Sequence, residues 1–202
     1  MAFEQVRYRP LASRVLAALT VVVCAIGVVA LIAIDVSDAA RYSWPLMLVA
    51  VLVWAMFWRP ELVVEEHGIT VVNVFRTEFV PWPAIVMVDT KWALTVRTAD
   101  RVIRVWASPA PGRHRLLGLS RSDFSGLGET ARGAHGSLRP SDALSVPSGN
   151  LAQLIRGRWE RLAEEGALEA GAEPGASGTT WHVATIAVTA ALAAATVIGI
   201  LL

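Results

Sequence analysis

Three long apolar runs constrain this chain more than any other feature of its sequence. Residues 15–34 carry no Asp, Glu, Lys or Arg, and the same is true of residues 42–58 and residues 182–202. A helix rises about 1.5 Å per residue, so about 20 apolar residues cross the roughly 30 Å hydrocarbon core of a bilayer. The sequence therefore predicts three transmembrane helices, at residues 15–34, 42–58 and 181–202, with Trp181 at the entrance of the third.

The first run has two competing interpretations. It could be a cleaved secretory signal, because Arg7, Arg9 and Arg14 give it a basic start. A signal core has only about 7–15 apolar residues, however, and here a second run follows closely. A helix buried in a soluble core is also a poor explanation, because apolar side chains all round a helix need a large protein around them. We therefore favour a membrane span.

The distribution of arginine predicts which way the spans run. Lys and Arg are enriched in the short cytoplasmic flanks of transmembrane helices. Three arginines lie within residues 1–14 and Arg59 directly follows the second run, whereas residues 35–41 between the two runs hold one arginine. We expect residues 1–14 and 59–180 to be cytoplasmic, with residues 35–41 forming an external loop. The C-terminus of this multi-pass cell-membrane protein would then be external.

Composition and cysteine content exclude several classes of protein. The formal net charge is +1, so overall charge gives no argument for a nucleic-acid partner. Cys24 is the only cysteine and lies in the first run, so an internal disulfide and a cysteine-based zinc site are both excluded. The soluble part must be stabilised by packing, as is usual in the reducing cytoplasm.

The third apolar run contains a stripe of small residues. Ala187, Ala191, Ala195 and Gly199 recur at every fourth position, which places them on one helix face. Such a face lets another helix approach closely, either the first two spans or a partner protein. The alternative explanation is that alanine is simply abundant in this run. The sequence leaves both explanations open.

Between residues 60 and 106 the apolar period changes from helical to two. Alternating apolar positions are broken by turn residues such as Glu65-Glu66-His67-Gly68. The pattern predicts six short strands in an antiparallel meander or barrel. The strands are expected near residues 62–64, 69–74, 78–80, 85–88, 93–97 and 102–106.

The rest of the soluble region is predicted to contain a long loop, a helix and a linker. Residues 107–147 show little periodicity and form the loop, in which residues 115–119 are a candidate for one more strand. Residues 148–165 form an amphipathic helix with Ser148 as N-cap. Gly166 ends this helix, and residues 167–180 link it to the third span.

The predicted helix has one apolar face. Three charged residues, Arg156, Glu160 and Arg161, are expected to point away from that face. The apolar face is formed by Leu151, Leu154, Ile155, Trp159 and Leu162.

Short antiparallel strands followed by one amphipathic helix are the plan of a pleckstrin-homology (PH) domain. Residues 65–73, 75–77 and 80–85 carry the motifs Glu-x-Gly-Ile-x-x-x-Asn, Phe-Arg-Thr and Val-Pro-Trp-Pro-Ala-Ile. In these motifs and in the two spans before them, the chain resembles actinobacterial membrane proteins with a bacterial PH-like domain, of the low molecular weight protein antigen 6 type. The resemblance extends neither to the long loop nor to the third span.

This resemblance implies an α+β membrane protein. Its three transmembrane helices would carry a PH-like antiparallel β-barrel or sandwich at residues 59–166, capped by the C-terminal amphipathic helix. Many PH domains bind phosphoinositides with basic residues around their first hairpin loop. Here that loop contains Glu65 and Glu66, which would repel a phosphate, so this property is not transferred.

Basic side chains gather elsewhere, first near the last strands at Arg97, Arg101 and Arg104, and then in the long loop. They could contact a partner or an anionic leaflet, where each adds about 1 kcal/mol of attraction, or they could be ordinary solvated charges. The candidate contact residues are Arg113, His114, Arg115 and Arg121.

Catalytic motifs are missing from the sequence. The four histidines are scattered, and no nucleophile elbow, phosphate-binding loop or dinucleotide fingerprint occurs. We expect no catalytic residue, cofactor or metal. The leading hypothesis is a non-catalytic, membrane-anchored PH-like module that mediates protein interaction or scaffolding at the inner leaflet. The alternative is a sensor of anionic lipid headgroups that uses the basic loop. The expected partners are the bilayer and an unidentified protein, but not nucleic acid.

Overall fold

The computed structural model describes residues 5–90, 93–109, 140–143, 145–168 and 177–201. The chain forms two compact units, which are described one at a time. The helical unit comprises Arg9–Pro60, Val72–Thr77 and Thr180–Leu202. The sheet unit comprises Met1–Tyr8, Glu61–Val71 and Glu78–Thr179.

The helical unit contains the three predicted spans. Helix α1 is Leu11–Ile34, and helix α2 is Val36–Val53, continued by a π-helical turn at Trp54–Trp58. Helix α4 is Val183–Leu201, named after α3 of the sheet unit. All three are long and apolar enough to cross a membrane.

The second helix begins earlier than the sequence predicts. The Oδ1 atom of Asp35 accepts a hydrogen bond from the backbone N–H of Ser37 at 2.7 Å, which makes Asp35 the N-cap of α2. Hydrogen bonds from the Ser37 hydroxyl and backbone also lower the pKa of Asp35. Residues 36–41, predicted as an external loop, therefore belong to the first turns of α2.

The strands form two sheets. The five-stranded sheet has the order β1-β2-β3-β4-β8, and the three-stranded sheet has the order β5-β6-β7. The strands are β1 Val6–Tyr8, β2 Glu61–Val64, β3 Gly68–Val72, β4 Arg76–Pro81, β5 Met87–Asp89, β6 Ala93–Arg97, β7 Val102–Pro109 and β8 Thr179–Trp181.

The expected closed barrel is not formed. Between β4 and β5 the chain passes through a 3-10 turn at Trp82–Ala84, with Pro81 before it and Pro83 within it. In the described part of the chain the two sheets remain separate.

The six predicted strands are present as β2 to β7, but two further strands were not predicted. β1 lies in the segment predicted as the cytoplasmic N-terminus, for which no strand was expected, and Val6 pairs with Val64 while Tyr8 pairs with Leu62. β8 lies at the end of the predicted linker. The expected strand at residues 115–119 lies outside the described residues.

Helix α3, Pro147–Glu164, packs its apolar face on the core of the sheet unit. Leu151 and Ile155 are buried, and Leu154, Trp159 and Leu162 are half-buried against the same core, as the sequence predicts. The core residues contributed by the strands and the turn between them are Leu62, Val64, Ile69, Val71, Val80, Trp82, Ile85, Val88, Leu94, Val96, Ile103, Val105 and Ala107.

The ends of α3 match the prediction only at its C-terminus. Gly166 has a φ of 68°, the left-handed conformation that ends many helices. At the N-terminus the cap is Val146, with Pro147 as the first helical residue. Ser148, predicted as the N-cap, lies inside the first turn, where its hydroxyl donates to the carbonyl of Ser141 at 3.2 Å.

Arg156 does not point away from the apolar face, contrary to the prediction. Its side chain is only 8 % exposed. Its Nη1 donates to Asp142 Oδ1 at 3.0 Å and its Nη2 donates to the carbonyl of Val88 at 2.8 Å. A buried arginine is tolerated because its charge is paired and its N–H groups are used. Helix α3 is thereby joined to β5 and to the 3-10 turn Pro140–Asp142.

Candidate functional site

The sequence predicts that four basic residues of the long loop contact a partner or an anionic leaflet. Arg113, His114, Arg115 and Arg121 all lie outside the described residues, so the basic loop stays a prediction.

The small-residue stripe of α4 is described in full. Ala187 and Ala191 are exposed, whereas Ala195 and Gly199 are half-buried. Gly199 lies against α2: its carbonyl accepts from Arg41 Nε at 2.9 Å, and a Cβ added to it would lie 2.7 Å from the Arg41 carbonyl oxygen. Close helix approach therefore requires glycine at this position.

The motif residues around the acidic turn hold that turn in place. Trp82 is buried, and its Nε1 donates to the carbonyls of Glu65 at 3.2 Å and Glu66 at 2.9 Å. A Cβ on Gly68 would lie 2.3 Å from the carbonyl oxygen of Val80, so only glycine fits there. These contacts give the two motifs a structural role in the first hairpin.

A network of buried polar side chains lies between α3 and the three-stranded sheet. Asp142 Oδ1 accepts from Thr90 Oγ1 at 2.7 Å as well as from Arg156. Ser141 Oγ donates to Thr90 Oγ1 at 3.3 Å. These side chains are buried and hydrogen-bond to one another, which indicates a structural role for this network.

His182 fastens the start of α4 to the tip of the β3–β4 hairpin, and both belong to the helical unit. Its backbone N–H donates to the carbonyl of Phe75 at 2.8 Å, and its Nε2 lies 2.9 Å from Thr77 Oγ1. Burial lowers the pKa of His182; the carbonyl of Val74 acts in the opposite direction, and the positive charge of Arg59 lowers it further. The neutral imidazole is thus favoured at this junction.

The three-stranded sheet presents an exposed face that mixes apolar and basic side chains. We define the outer face as Met87, Arg97, Val102, Arg104 and Trp106. Met87 pairs with Arg97 and Arg97 with Val102, so these three form one row across the strands. Met87 and Val102 are each 51 % exposed and Trp106 is 49 % exposed.

The opposite side of the same strands faces the core. Val88, Val96 and Ile103 are buried there, and Val96 pairs with both of the others. Because successive strand residues point to opposite sides, the burial of these three residues directs the outer-face side chains outward. The alternation in residues 102–106 contains this information, but the sequence alone does not say which set of side chains is covered.

The composition of the outer face is typical of a protein-binding surface. Tryptophan, methionine and arginine are enriched in the central parts of protein interfaces, and large apolar side chains exposed together commonly mark such sites. Arg97, which is exposed on this face, would complement a carboxylate at the edge of an apolar partner surface.

A metal site is not indicated in the part of the chain that the structure describes. No three His, Cys, Asp or Glu residues come together there as a possible ligand group.

Comparison with known proteins identifies the domain. Residues 59–141 match the family described as bacterial PH domain. The match begins directly after α2 and ends in the 3-10 turn that precedes α3. The chain therefore carries a PH-like domain. No curated protein and no solved structure matches the chain significantly.

Proposed function

We propose that this chain is a non-catalytic, membrane-anchored PH-like protein that binds another protein at the inner leaflet. The outer face of the three-stranded sheet is the observation that carries this proposal. Met87, Val102 and Trp106 leave about half of their surface in solvent beside Arg97 and Arg104. A folded domain gains nothing in its own stability from exposing these apolar side chains, whereas a partner could bury them.

The proposal also places the chain in a narrower group of membrane proteins and holds that the chain does not catalyse a reaction. The matched PH-like domain supports a role in protein or lipid interaction. Two apolar helices precede it, as in actinobacterial membrane proteins of the low molecular weight protein antigen 6 type, and we place the chain with that group. The polar networks around Trp82 and Asp142 have internal partners, so their structural role is sufficient to explain them.

The proposed topology has three spans, with the PH-like domain in the cytoplasm and the C-terminus outside. Sheet pairing supports it independently of charge. β1 precedes α1 and pairs with β2, which follows α2, and this pairing supports a hairpin of α1 and α2 whose two ends lie on one side. β8, which precedes α4, belongs to the same sheet. The arginine bias described above then favours the cytoplasm for that side.

Affinity purification from mildly solubilised membranes tests the proposal. The full chain, the outer-face variant Arg97→Glu/Trp106→Ser and the control variant Arg161→Glu on helix α3 would be compared by quantitative mass spectrometry. Central aromatic and arginine side chains contribute about 2 kcal/mol or more to an interface, which corresponds to a roughly 30-fold loss of affinity. We expect a reproducible partner that is lost only with the outer-face variant. If no partner recurs, or if both variants retain it equally, the outer face is not the binding site.

Sensing of anionic lipid headgroups by the basic loop remains the alternative function. It predicts that a soluble headgroup such as glycerophosphoglycerol binds the detergent-solubilised full chain in a salt-sensitive manner. Replacing Arg113, Arg115 and Arg121 by alanine should then abolish the heat of binding in a calorimetric titration. Headgroup binding that depends on these arginines would favour the lipid function over the protein-binding function.

A further inference from the structure

One arginine at the end of the helical unit has a buried Nε–H group with no acceptor among the described residues. Arg14 lies in the first turn of α1, and its guanidinium carbon lies 4.3 Å from the centroid of the Trp58 ring at the end of the π-helical turn. The indole thus covers one face of the guanidinium. The side chain is half-buried, and its Nε is buried without a hydrogen-bond partner among the described residues.

An unpaired buried N–H of a cation is strongly unfavourable, because the group has left water and gained no replacement. Most such groups in native proteins are satisfied, so the hydrogen bonding of the Arg14 guanidinium is incomplete within the described residues. The neighbouring Arg59 differs in this respect, since its Nη1 donates to the hydroxyl of Thr185 and its guanidinium lies 5.7 Å from the Trp54 ring centroid.

The position of Arg14 restricts the chemistry of that partner. It lies at the end of an apolar helix, beside Trp58 at the end of the next one, and indole rings prefer the depth of the lipid headgroups. At that depth the abundant hydrogen-bond acceptor is the phosphate of a glycerophospholipid. The planar fork of a guanidinium matches phosphate oxygens, and stacking on an indole leaves the N–H edge available.

We infer that Arg14 and Trp58 form a binding site for the phosphate of an anionic phospholipid. The indole holds the guanidinium in place, and the phosphate oxygens accept from its terminal Nη1 and Nη2 groups. Anionic lipids are favoured over zwitterionic ones, because no carboxylate is within ion-pair distance of Arg14 among the described residues and the site keeps a net positive charge. This site is independent of the outer face and of the basic loop.

Native mass spectrometry of the full chain, released from nanodiscs with equal phosphatidylglycerol and phosphatidylcholine, tests the site. The wild-type chain is expected to retain phosphatidylglycerol in preference to phosphatidylcholine. Arg14→Gln should lower that preference about fivefold, the effect of one arginine at a headgroup. Arg14→Lys should give an intermediate value, because the charge stays but the planar stacking is lost. Arg161→Gln makes the same charge change on α3 and should leave the preference unchanged.

The inference would be overturned by equal retention of the two lipids by the wild-type chain, by an unchanged preference in Arg14→Gln, or by an equal loss in Arg161→Gln. Displacement of the lipid by excess inorganic phosphate would show that the site takes free anions and would also overturn it. If Arg14→Gln loses its helical circular dichroism, Trp58→Leu replaces it, with an intermediate loss expected, because the charge of Arg14 stays but its stacking partner is lost.

Discussion

The contacts of Arg156 show how a charged side chain can organise a core. Its guanidinium reaches Asp142 on one side and the carbonyl of Val88 on the other, while Thr90 gives Asp142 a second donor. Each member of this network is buried and each depends on the others. Removing one partner should therefore cost much more than replacing the whole ion pair by apolar groups.

Asp142→Ala should destabilise the sheet unit by about 3–5 kcal/mol, because it leaves the Arg156 charge buried without its carboxylate. The double variant Asp142→Ala/Arg156→Met should recover most of that loss. Urea unfolding of the full chain in detergent, followed by near-ultraviolet circular dichroism, measures both. A loss below about 1 kcal/mol for Asp142→Ala would mean that the ion pair does not stabilise the fold.

His182 should make stability depend on pH. Burial lowers its folded-state pKa below the ordinary value of 6.5, so the unfolded chain takes up a proton first as the pH falls. Stability is therefore expected to be fully present above about pH 6.5 and to decline below it. His182→Gln should flatten the melting temperature between pH 7 and pH 5, whereas Arg161→Gln, which removes a charge that does not titrate in this range, should not. An unchanged pH profile in His182→Gln would remove His182 as the cause.

At the residue scale, sequence patterns found the side chains whose role follows from periodicity. Leu151, Ile155 and Gly166 were identified in this way. The same patterns misplaced Arg156, because a charged residue on an amphipathic helix is assumed to be solvated and its buried partner is distant in the sequence. They also gave no role to Trp82, whose two carbonyl acceptors depend on the folded turn.

At the element scale, length decided what could be predicted. β3, β4, β6 and β7 have five to eight residues, enough to show a period of two, and the three-residue β5 lies within the same run of strands and turns. β1 and β8 also have three residues each, but they lie outside that run. Three residues cannot establish a period, and both segments owe their conformation to the strand beside them. The start of α2 was missed for a related reason, since the Asp35 cap lies in a segment that looked like a polar loop.

The close packing of α4 on α2 gives a prediction for Gly199. Gly199→Val should destabilise this helix pair by about 1–3 kcal/mol, because its Cβ would lie 2.7 Å from the carbonyl oxygen of Arg41 and 3.4 Å from the Trp44 ring. Ala191→Val adds volume on the same helix at an exposed position and serves as the control. Thermal unfolding in detergent, followed by size-exclusion chromatography, measures the difference. Equal melting temperatures would argue against close packing at Gly199.

At the scale of the whole molecule, one sheet connects segments that lie on either side of the spans in the sequence. β1 comes before α1, β2 to β4 come after α2, and β8 comes before α4. In the proposed topology these strands lie on one side of the membrane, and α1 and α2 form a hairpin. The order of the strands and the arginine bias are independent observations that favour the same topology.

Cysteine labelling in whole cells tests this topology directly. With Cys24 replaced by serine, Ser37→Cys at the start of α2 should react with a membrane-impermeant maleimide added outside. Ser145→Cys, which is exposed just before α3, should react only after the cells are permeabilised. Alkaline phosphatase fused after Leu202 should be active and fused after Ala110 inactive, because this enzyme requires the oxidising exterior for its disulfides. A Ser145→Cys variant labelled in intact cells would invert the topology, and the sheet would then require the N-terminal segment to be external as well.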